Sequence, residues 1–486
     1  MFLGIDLGTS ELKLLLLDEG HRIVATTGMP LTVQRPQPLS SEQQPADWWA
    51  ALEAGMAALK AEHGAALARV RGIGLSGQMH GAVTLDGDDT VLRPAILWNE
   101  GRSAPQCEQM MAACPGLPAI TGNLAMPGFT APKLAWMREH EPELFRRVAK
   151  VLLPKDWLRL QLSGEAVSEM SDAAGTLWLD VARRRWSPEA LALTGLSEAQ
   201  MPRLVEGSEV SATLKRELAA RWGLPAGIPI AGGGGDNAAS AVGMGVVKPG
   251  QGFLSLGTSG VIFLCNQAFS PNPTRAVHAF CHALPDTWHQ MSVMLSAASA
   301  LRWVTQLLGQ PDEATLIAQV AALTPAQRAQ APLFLPYLSG ERTPHNDARA
   351  QGVFFGLTHA HDAAALGYAV LEGVGFGLLD GWQALQPQGG AAGALWLVGG
   401  GTRSAWWAEL LAALLNTRLV TGVGAETGGA LGAARLAWLA CGGRVDEVCR
   451  TPAIARVAEP DAAVAAALRP RHARFQRLYQ AVRGEF

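Results

Sequence analysis

Gly4-Ile5-Asp6-Leu7-Gly8-Thr9-Ser10 stands at the head of the chain, and Leu254-Ser255-Leu256-Gly257-Thr258-Ser259-Gly260 repeats its closing phrase in the second half. Between them Ile228-Pro229-Ile230-Ala231 runs into Gly232-Gly233-Gly234-Gly235-Asp236-Asn237. In each stretch an apolar strand breaks at glycine and offers backbone N–H groups and small hydroxyls. Glycine lets a backbone come close to a ligand, and successive N–H groups make a nest for an anion. Two such turns far apart in sequence predict two lobes that close on one polyphosphate. Asp6 and Asp236 stand beside two of the three turns, which points to Mg²⁺ and to proton transfer.

Composition narrows the field. At 486 residues the chain is too long for one ordinary core. With 49% hydrophobic and 17% charged residues it has a folded rather than a disordered composition. Net charge is −3 and no basic run stands out, so a small polar substrate is expected rather than nucleic acid. No apolar stretch reaches the roughly 18 residues of a membrane span. The N-terminus opens on a strand-like segment without a basic region and cleavage site, so a cytoplasmic protein is expected. The six cysteines (107, 114, 265, 281, 441 and 449) form no Cys-x-x-Cys pair and read as reduced, buried thiols.

Working outward from the first turn, Leu12 to Leu17 and Arg22-Ile23-Val24-Ala25 read as hairpin-connected strands. Pro45-Ala46-Asp47 opens a helix on which Trp48, Leu52, Met56 and Leu59 recur at helical spacing. A strand from Val70 to Leu75 follows, then the turn Ser76-Gly77-Gln78-Met79-His80-Gly81. Residues 100 to 210 read as a helical substrate subdomain rich in Trp and Pro. The second half repeats the order, with strands from Gly252 to Phe263 and a strand Leu395-Trp396-Leu397-Val398. The latter ends in Gly399-Gly400-Gly401-Thr402-Arg403-Ser404, where Ser404 suits the N-cap of the next helix. Gly245 to Gly250 is the natural boundary, giving lobes 1–245 and 246–486. Arg469, Arg471, Arg474 and Arg477 read as a solvated helix face.

Taken together these phrases resemble the FGGY family of carbohydrate kinases, from residue 2 to about residue 480. The resemblance is carried by the repeated strand and Gly-Thr-Ser turn, by Pro127-Gly128-Phe129-Thr130-Ala131-Pro132-Lys133-Leu134-Ala135-Trp136, and by Gly352-Val353-Phe354-Phe355-Gly356-Leu357 with Leu371-Glu372-Gly373. It implies an α/β fold, the two-lobed actin/hexokinase/Hsp70-type (ribonuclease H-like) ATPase fold with a central cleft. ATP and Mg²⁺ are the implied cofactors. Five further phrases imply D-xylulose as the phosphoryl acceptor. They are Ser76 to Gly81, Ile96-Leu97-Trp98-Asn99, Leu153-Pro154-Lys155-Asp156, Met170 to Thr176, and Ser339-Gly340-Glu341-Arg342-Thr343-Pro344-His345. Met79-His80 stands where glycerol kinases typically carry Arg-Glu, so glycerol is a poor candidate. Glu11, Glu100, Ala365 and Tyr368 depart from the family pattern; Glu11 is of consequence because a carboxylate there repels phosphate unless it points away.

Residue roles follow from the chemistry and the resemblance together. A carboxylate at the lip of a glycine turn can take the proton of an attacking hydroxyl, so Asp236 is the expected general base; the alternative is a plain N-cap. Asp6, costly to bury unpaired, is assigned to the Mg²⁺-ATP side together with Asp236; the alternative is a turn aspartate satisfied by backbone amides. By resemblance, Gly8, Thr9, Ser10, Gly257, Thr258 and Ser259 hold the β- and γ-phosphates, and Gly400, Gly401 and Arg403 the adenosine. Lys13 is as readily a solvated strand lysine as a phosphate contact. Met79 and His80 are the expected sugar contacts, as apolar floor and hydrogen-bonding group. Trp98, Asn99 and Asn237 complete the expected sugar site. His278, His282 and His289 are not expected to bind metal, given Pro285 and their strand-like surroundings. The expected partner is a small-molecule sugar, with no nucleic acid and no membrane; the oligomeric state stays open, a homodimer being the assembly considered. Two alternatives stay open: a kinase for another ketose or sugar alcohol, and a nucleotide-gated binding protein.

Overall fold

The computed structural model describes residues 1–385, 393–423 and 428–486. Its first sheet grows from the N-terminal hairpin, β1 (Phe2–Leu7) and β2 (Glu11–Leu17), with β3 (Ile23–Pro30) at one edge. On the other side β1 pairs in parallel with β4 (Gly72–Gly77), two residues beyond the Val70 start read from the sequence. The sheet continues through β6 (Pro229–Ala231) to β5 (Val210–Thr213), and β7 (Gly234–Gly235) adds to the end of β4. The strands β1 and β2 are central and covered on both faces, which is why β2 reads as a near-continuous leucine run. Leu12, Leu14 and Leu16 pack toward α1 (Pro45–Leu67) with Trp48, Leu52, Met56 and Leu59. Phe2, Leu15 and Leu17 face the other way, against Ala430, Ala434 and Ala437.

Those alanines belong to a helix from the far end of the chain. The glycine turn after β6 leads into α2 (Asp236–Gly243), and the second sheet then begins. It runs in the order β10-β11-β9-β8-β12-β13-β14, where β8 is Gly252–Leu256, β9 Gly260–Asn266, β10 His278–Cys281 and β11 Trp288–Met294. The strand β12 is Ala394–Val398, β13 Arg418–Gly422 and β14 Ile454–Ala458. The core helix of this lobe is α3 (Ala363–Leu385), followed by α4 (Ala405–Leu415), whose N-cap Ser404 accepts from Trp407 N–H as expected. The next helix, α5 (Gly428–Ala440), crosses α2 and lies on the first sheet, and α6 (Ala462–Val482) closes the chain. The approach of α5 is backbone on backbone. A Cβ at Gly4 would meet Ala430 O at 2.0 Å, one at Gly74 Ala433 O at 1.8 Å, and one at Gly432 Ala239 O at 1.7 Å. Only glycine fits at such contacts.

Two expectations need correction. The helix α3 is long and apolar enough to cross a membrane by length and composition, although no such stretch was expected. It contains Glu372 and Asp380, and it is the packed centre of the second lobe. Glu372 is also why the arginines of α6 are not one solvated face. Arg471 turns inward and holds the Glu372 carboxylate with Nε and Nη2, both at 2.6 Å. A buried carboxylate needs such a partner.

Residues 104–205 form the helical subdomain that the sequence predicted, with short strands between its helices. Its helices Thr130–His140 and Pro154–Ser163 stand behind the Met79-His80 turn and behind the glycine turn, respectively.

Candidate active site

Both Gly-Thr-Ser phrases are hairpin turns whose carbonyls are tied back into the protein. Thr9 O accepts from Gln43 Nε2 at 2.8 Å and Ser10 O from Leu31 N–H at 2.8 Å. In the second turn Gly257 O accepts from Ala298 N–H at 2.9 Å and Thr258 O from Ala297 N–H at 3.0 Å. The amides of Thr9, Ser10, Thr258 and Ser259 meet no acceptor among the described residues. Such turns suit an anion, because their carbonyls are occupied and their amides are not.

Beside the second turn lies a cavity of about 600 Å³ lined from both halves, by Asn237 and Ser240 of α2, Ser255, Gly399, Gly400 and Gly428. Gly400 and Arg403 also line a second cavity of about 650 Å³, with Leu301, Ile317 and Trp406 on its apolar side. The turn Gly399–Arg403 is thus a ridge between two hollows. Gly401 is buried there against Leu256, and Gly399 takes a φ of +90° beside the Leu256 carbonyl. The ridge is thus glycine-lined on one side and flanked by an apolar pocket on the other.

Asp236 is the first residue of α2, and Gly235 occupies the cap position, so the side chain does not act as the N-cap. Its Oδ1 instead accepts from the Asn237 backbone and side chain, at 2.7 and 2.9 Å. Burial, and after it the charge of Asp6, pushes the Asp236 carboxyl up to about 6. Asp6 is raised as well, first by burial, with Ser76 and Lys13 pulling the other way. Its Oδ1 is buried without a hydrogen-bond partner. Its carboxylate lies over Gly429 in the first turn of α5, where a Cβ would meet Oδ2 at 2.5 Å. Two carboxylates so arranged, one with an orphan oxygen, fit a divalent cation. Lys13 pairs with Glu11 at 3.6 Å, and the Glu11 carboxylate lies over Gly28 of β3.

Met79 and His80 end the segment that leaves β4. Met79 is buried against Gly235 and Gly175, with no room for a Cβ at either glycine. His80 adopts a φ of +68°, a strained backbone for a side-chain-bearing residue. Its carbonyl accepts from Thr130 Oγ1 at 3.1 Å and from the buried Lys133 ammonium at 2.6 Å, and these bonds hold the turn. Burial pushes His80 down to about 3, so the ring is neutral. His80 Nδ1 stands 2.6 Å from Gly175 O, which can only accept, so Nδ1 carries the proton. Nε2 is therefore left as an acceptor, suited to a hydroxyl donor. The ring stands edge-on to Phe129 at 4.7 Å, an apolar wall.

The remaining expected residues divide. Trp98, 45% exposed, donates from Nε1 to Thr9 Oγ1 at 2.9 Å, and that hydroxyl donates to Gln78 Oε1 at 3.1 Å. Thr9 thus joins the Trp98 and Met79 turns through its side chain. Asn99 is occupied by Ser41, whose hydroxyl donates to Oδ1 at 2.5 Å, and Glu100 pairs with Arg102 at 2.8 Å. Asn237 lines the glycine-walled cavity. His278 is neutral through burial and bonds Asn123 Oδ1 at 2.9 Å, and no group of three or more metal-binding side chains occurs among the described residues.

Sequence reasoning missed Lys133, Gly175 and Arg342. Lys133 lies in a quoted phrase, but an ammonium among apolar helix residues carries no sign of its carbonyl partners. Arg342 is half-buried, with Nη1 3.4 Å from His278 Nε2, and pairs with no carboxylate among the described residues.

Comparison with known proteins agrees with this geometry. The model for the N-terminal domain of the FGGY family of carbohydrate kinases matches residues 1–243, and that for its C-terminal domain residues 252–441. The chain is 52% identical to the xylulose kinase of Escherichia coli (strain K12) over 482 residues, 99% of each protein. It is 53% identical to the xylulose kinase of Klebsiella pneumoniae over 440 residues, 90% of each. A solved structure described as a "xyloylose kinase" from Brucella ovis superposes with a TM-score of 0.96 at 50% identity, covering all of both chains. Two mixed sheets, glycine turns in both lobes and matches across both family domains lead to one conclusion: the chain belongs to the FGGY family of carbohydrate kinases.

Proposed function

We propose that this kinase transfers the γ-phosphoryl group of ATP to D-xylulose, giving D-xylulose 5-phosphate and ADP. The observation that carries the chemistry is the Asp236 carboxyl. It sits at the end of the glycine turn, beside the glycine-lined cavity and next to Met79 through Gly235. A base held near 6 is ionised at neutral pH yet basic enough to take a proton as the hydroxyl attacks. Asp236 receives the proton of the terminal sugar hydroxyl, whose oxygen attacks the γ-phosphorus in line. His80 Nε2 accepts from a sugar hydroxyl, and Met79 with Phe129 supplies the apolar floor and wall. The free amides of the two Gly-Thr-Ser turns hold phosphate oxygens, and Gly400, Gly401 and Arg403 face the adenosine. Phosphoryl transfer asks mainly for positioning and charge stabilisation, which these groups supply. Asp6 and Asp236 would hold Mg²⁺, which neutralises phosphate charge when bound.

The working lobes are 1–245 and 246–486, with α5 of the second seated on the first sheet. A cytoplasmic homodimer acting on a free sugar is the form to test, by gel filtration with light scattering.

A coupled ADP-release assay with Mg²⁺-ATP, offering D-xylulose, L- and D-ribulose, glycerol and xylitol, tests the reading. Strong selective turnover of D-xylulose is expected. Preference for another acceptor would move the specificity, and release unstimulated by every acceptor would overturn the reading.

A further inference from the structure

Behind the glycine turn lies a cluster of five ionisable side chains with no exposed side-chain surface: Lys155, Asp156, Arg159, Glu169 and Asp172. Lys155 Nζ stands 2.7 Å from Asp156, 3.3 Å from Glu169 and 3.0 Å from Asp172. Asp156 also accepts from Ser168 Oγ at 2.6 Å. Such a cluster is a poor source of fold stability, because desolvation of each charge offsets most of the attraction, and well-packed apolar residues would serve as well. Its geometry points to another use.

Both ends of the cluster reach the turn that carries Asp236. Arg159 Nη1 donates to Ala231 O at 2.6 Å, and Nη2 to Gly232 O at 2.5 Å. At the other end Glu169 Oε2 accepts from Ser171 N–H at 2.7 Å and from Ser171 O–H at 2.8 Å. With its proton committed to Glu169, the Ser171 hydroxyl can only accept, and it accepts from Gly235 N–H at 3.0 Å. Gly235 is the residue immediately before Asp236. The opposite side of the turn is held by Gly232 N–H on Glu209 O at 2.8 Å and Gly233 N–H on Gly207 O at 2.9 Å. Every peptide from Ala231 to Gly233 is therefore clamped, and Ser171 supplies the last clamp before the carboxylate.

We infer that Ser171 and Arg159 are positioning residues for Asp236, and that the buried ion cluster exists to fix their direction. The inference rests on Asp236 being the base. A guanidinium fork suits two successive carbonyls, and a carboxylate taking both the N–H and the O–H of Ser171 leaves its lone pair aimed at Gly235. Rigid support of this kind matters because a small displacement of a reacting group is costly in rate.

The test compares Ser171→Ala, Ser171→Thr and Asp236→Ala in the full chain, by steady-state kinetics and thermal melting. Ser171→Ala leaves Gly235 N–H without its acceptor and is expected to lower kcat about 10- to 100-fold, the range for slight misplacement of a reacting group. KM for ATP is expected to stay unchanged, and Ser171→Thr, which keeps the hydroxyl, to recover most of the rate. Wild-type kcat in Ser171→Ala, beside an inactive Asp236→Ala, would overturn the positioning role and leave the base intact. A fall in kcat accompanied by a raised KM for ATP and a lowered melting temperature would also overturn it, since that is general loosening. Turnover retained by Asp236→Ala would instead remove the base reading itself. Should Ser171→Ala fail to fold, Arg159→Lys carries the same test, because its ammonium cannot span both carbonyls.

Discussion

The Asp6 carboxylate bears directly on Asp236: after burial, the charge of Asp6 is what most raises Asp236, to about 6. Two like charges near one site each make the other harder to ionise. If Asp236 is the base, as proposed, Asp6 tunes it through charge.

The acid limb of kcat/KM for the sugar is accordingly expected near pH 6. Asp6→Asn removes the like charge, so the limb moves to lower pH while the maximal rate falls. A pH–rate profile of both proteins from acid to neutral pH checks this; a limb that stays in place in the variant would show that burial alone sets it.

A raised carboxylate is also a burden on the fold. The group titrates at 3.8 when unfolded and about 6 in the native protein, so its cost is absent below 3.8 and complete above about 6. Asp236→Asn is expected to be inactive and more stable than the parent at pH 8, by on the order of 3 kcal/mol. That advantage should vanish in melting curves taken below the lower of the two values.

Lys133 offers a probe of the proposed sugar site, because it holds the His80 turn from behind. It donates to His80 O and to Gly128 O at 2.6 and 2.8 Å, and burial pulls its ammonium well below the ordinary lysine range. Lys133→Met leaves the strained His80 backbone without its main support. KM for D-xylulose is expected to rise about tenfold, the factor that corresponds to ~1.4 kcal/mol of lost hydrogen bonding, with KM for ATP unchanged.

At Gly432 the expectation is loss of the folded protein rather than of one activity. A Cβ there would stand 1.7 Å from the Ala239 carbonyl, backbone that cannot yield without parting α2 from α5. Gly432→Ala should therefore give little soluble protein, whereas Gly64→Ala, on the exposed side of α1 with open space around it, should express normally.

Much of this was legible in the chain because it is local. Strand, glycine turn and aspartate follow one another within ten residues at Asp6 and at Asp236, so the break in hydrophobic period locates both carboxylates. Ser404 is legible as a cap for the same reason. The backbone amides of the Gly-Thr-Ser turns are legible because glycine and small hydroxyls leave nothing else to offer. What escaped depends on partners far away in sequence. Arg471 has the look of a surface residue of a basic helix, and only Glu372, some hundred positions earlier, turns it inward. The phrase around Lys155 and Asp156 shows paired charges without showing that they lie buried behind Gly235. Nor does any pattern in the alanine-rich stretch 428–440 say that it belongs on the sheet made by the first residues of the chain.

That last arrangement bears on synthesis. Phe2, Leu15 and Leu17 leave the ribosome about four hundred residues before the alanines that cover them. A nascent chain must carry one face of its first sheet uncovered until residue 440 has emerged, so the N-terminal lobe cannot mature as an independent unit during translation. Products cut short before α5 would expose apolar strand surface and invite aggregation, and proteolytic loss of α5 would uncover the sheet of the N-terminal lobe in the same way.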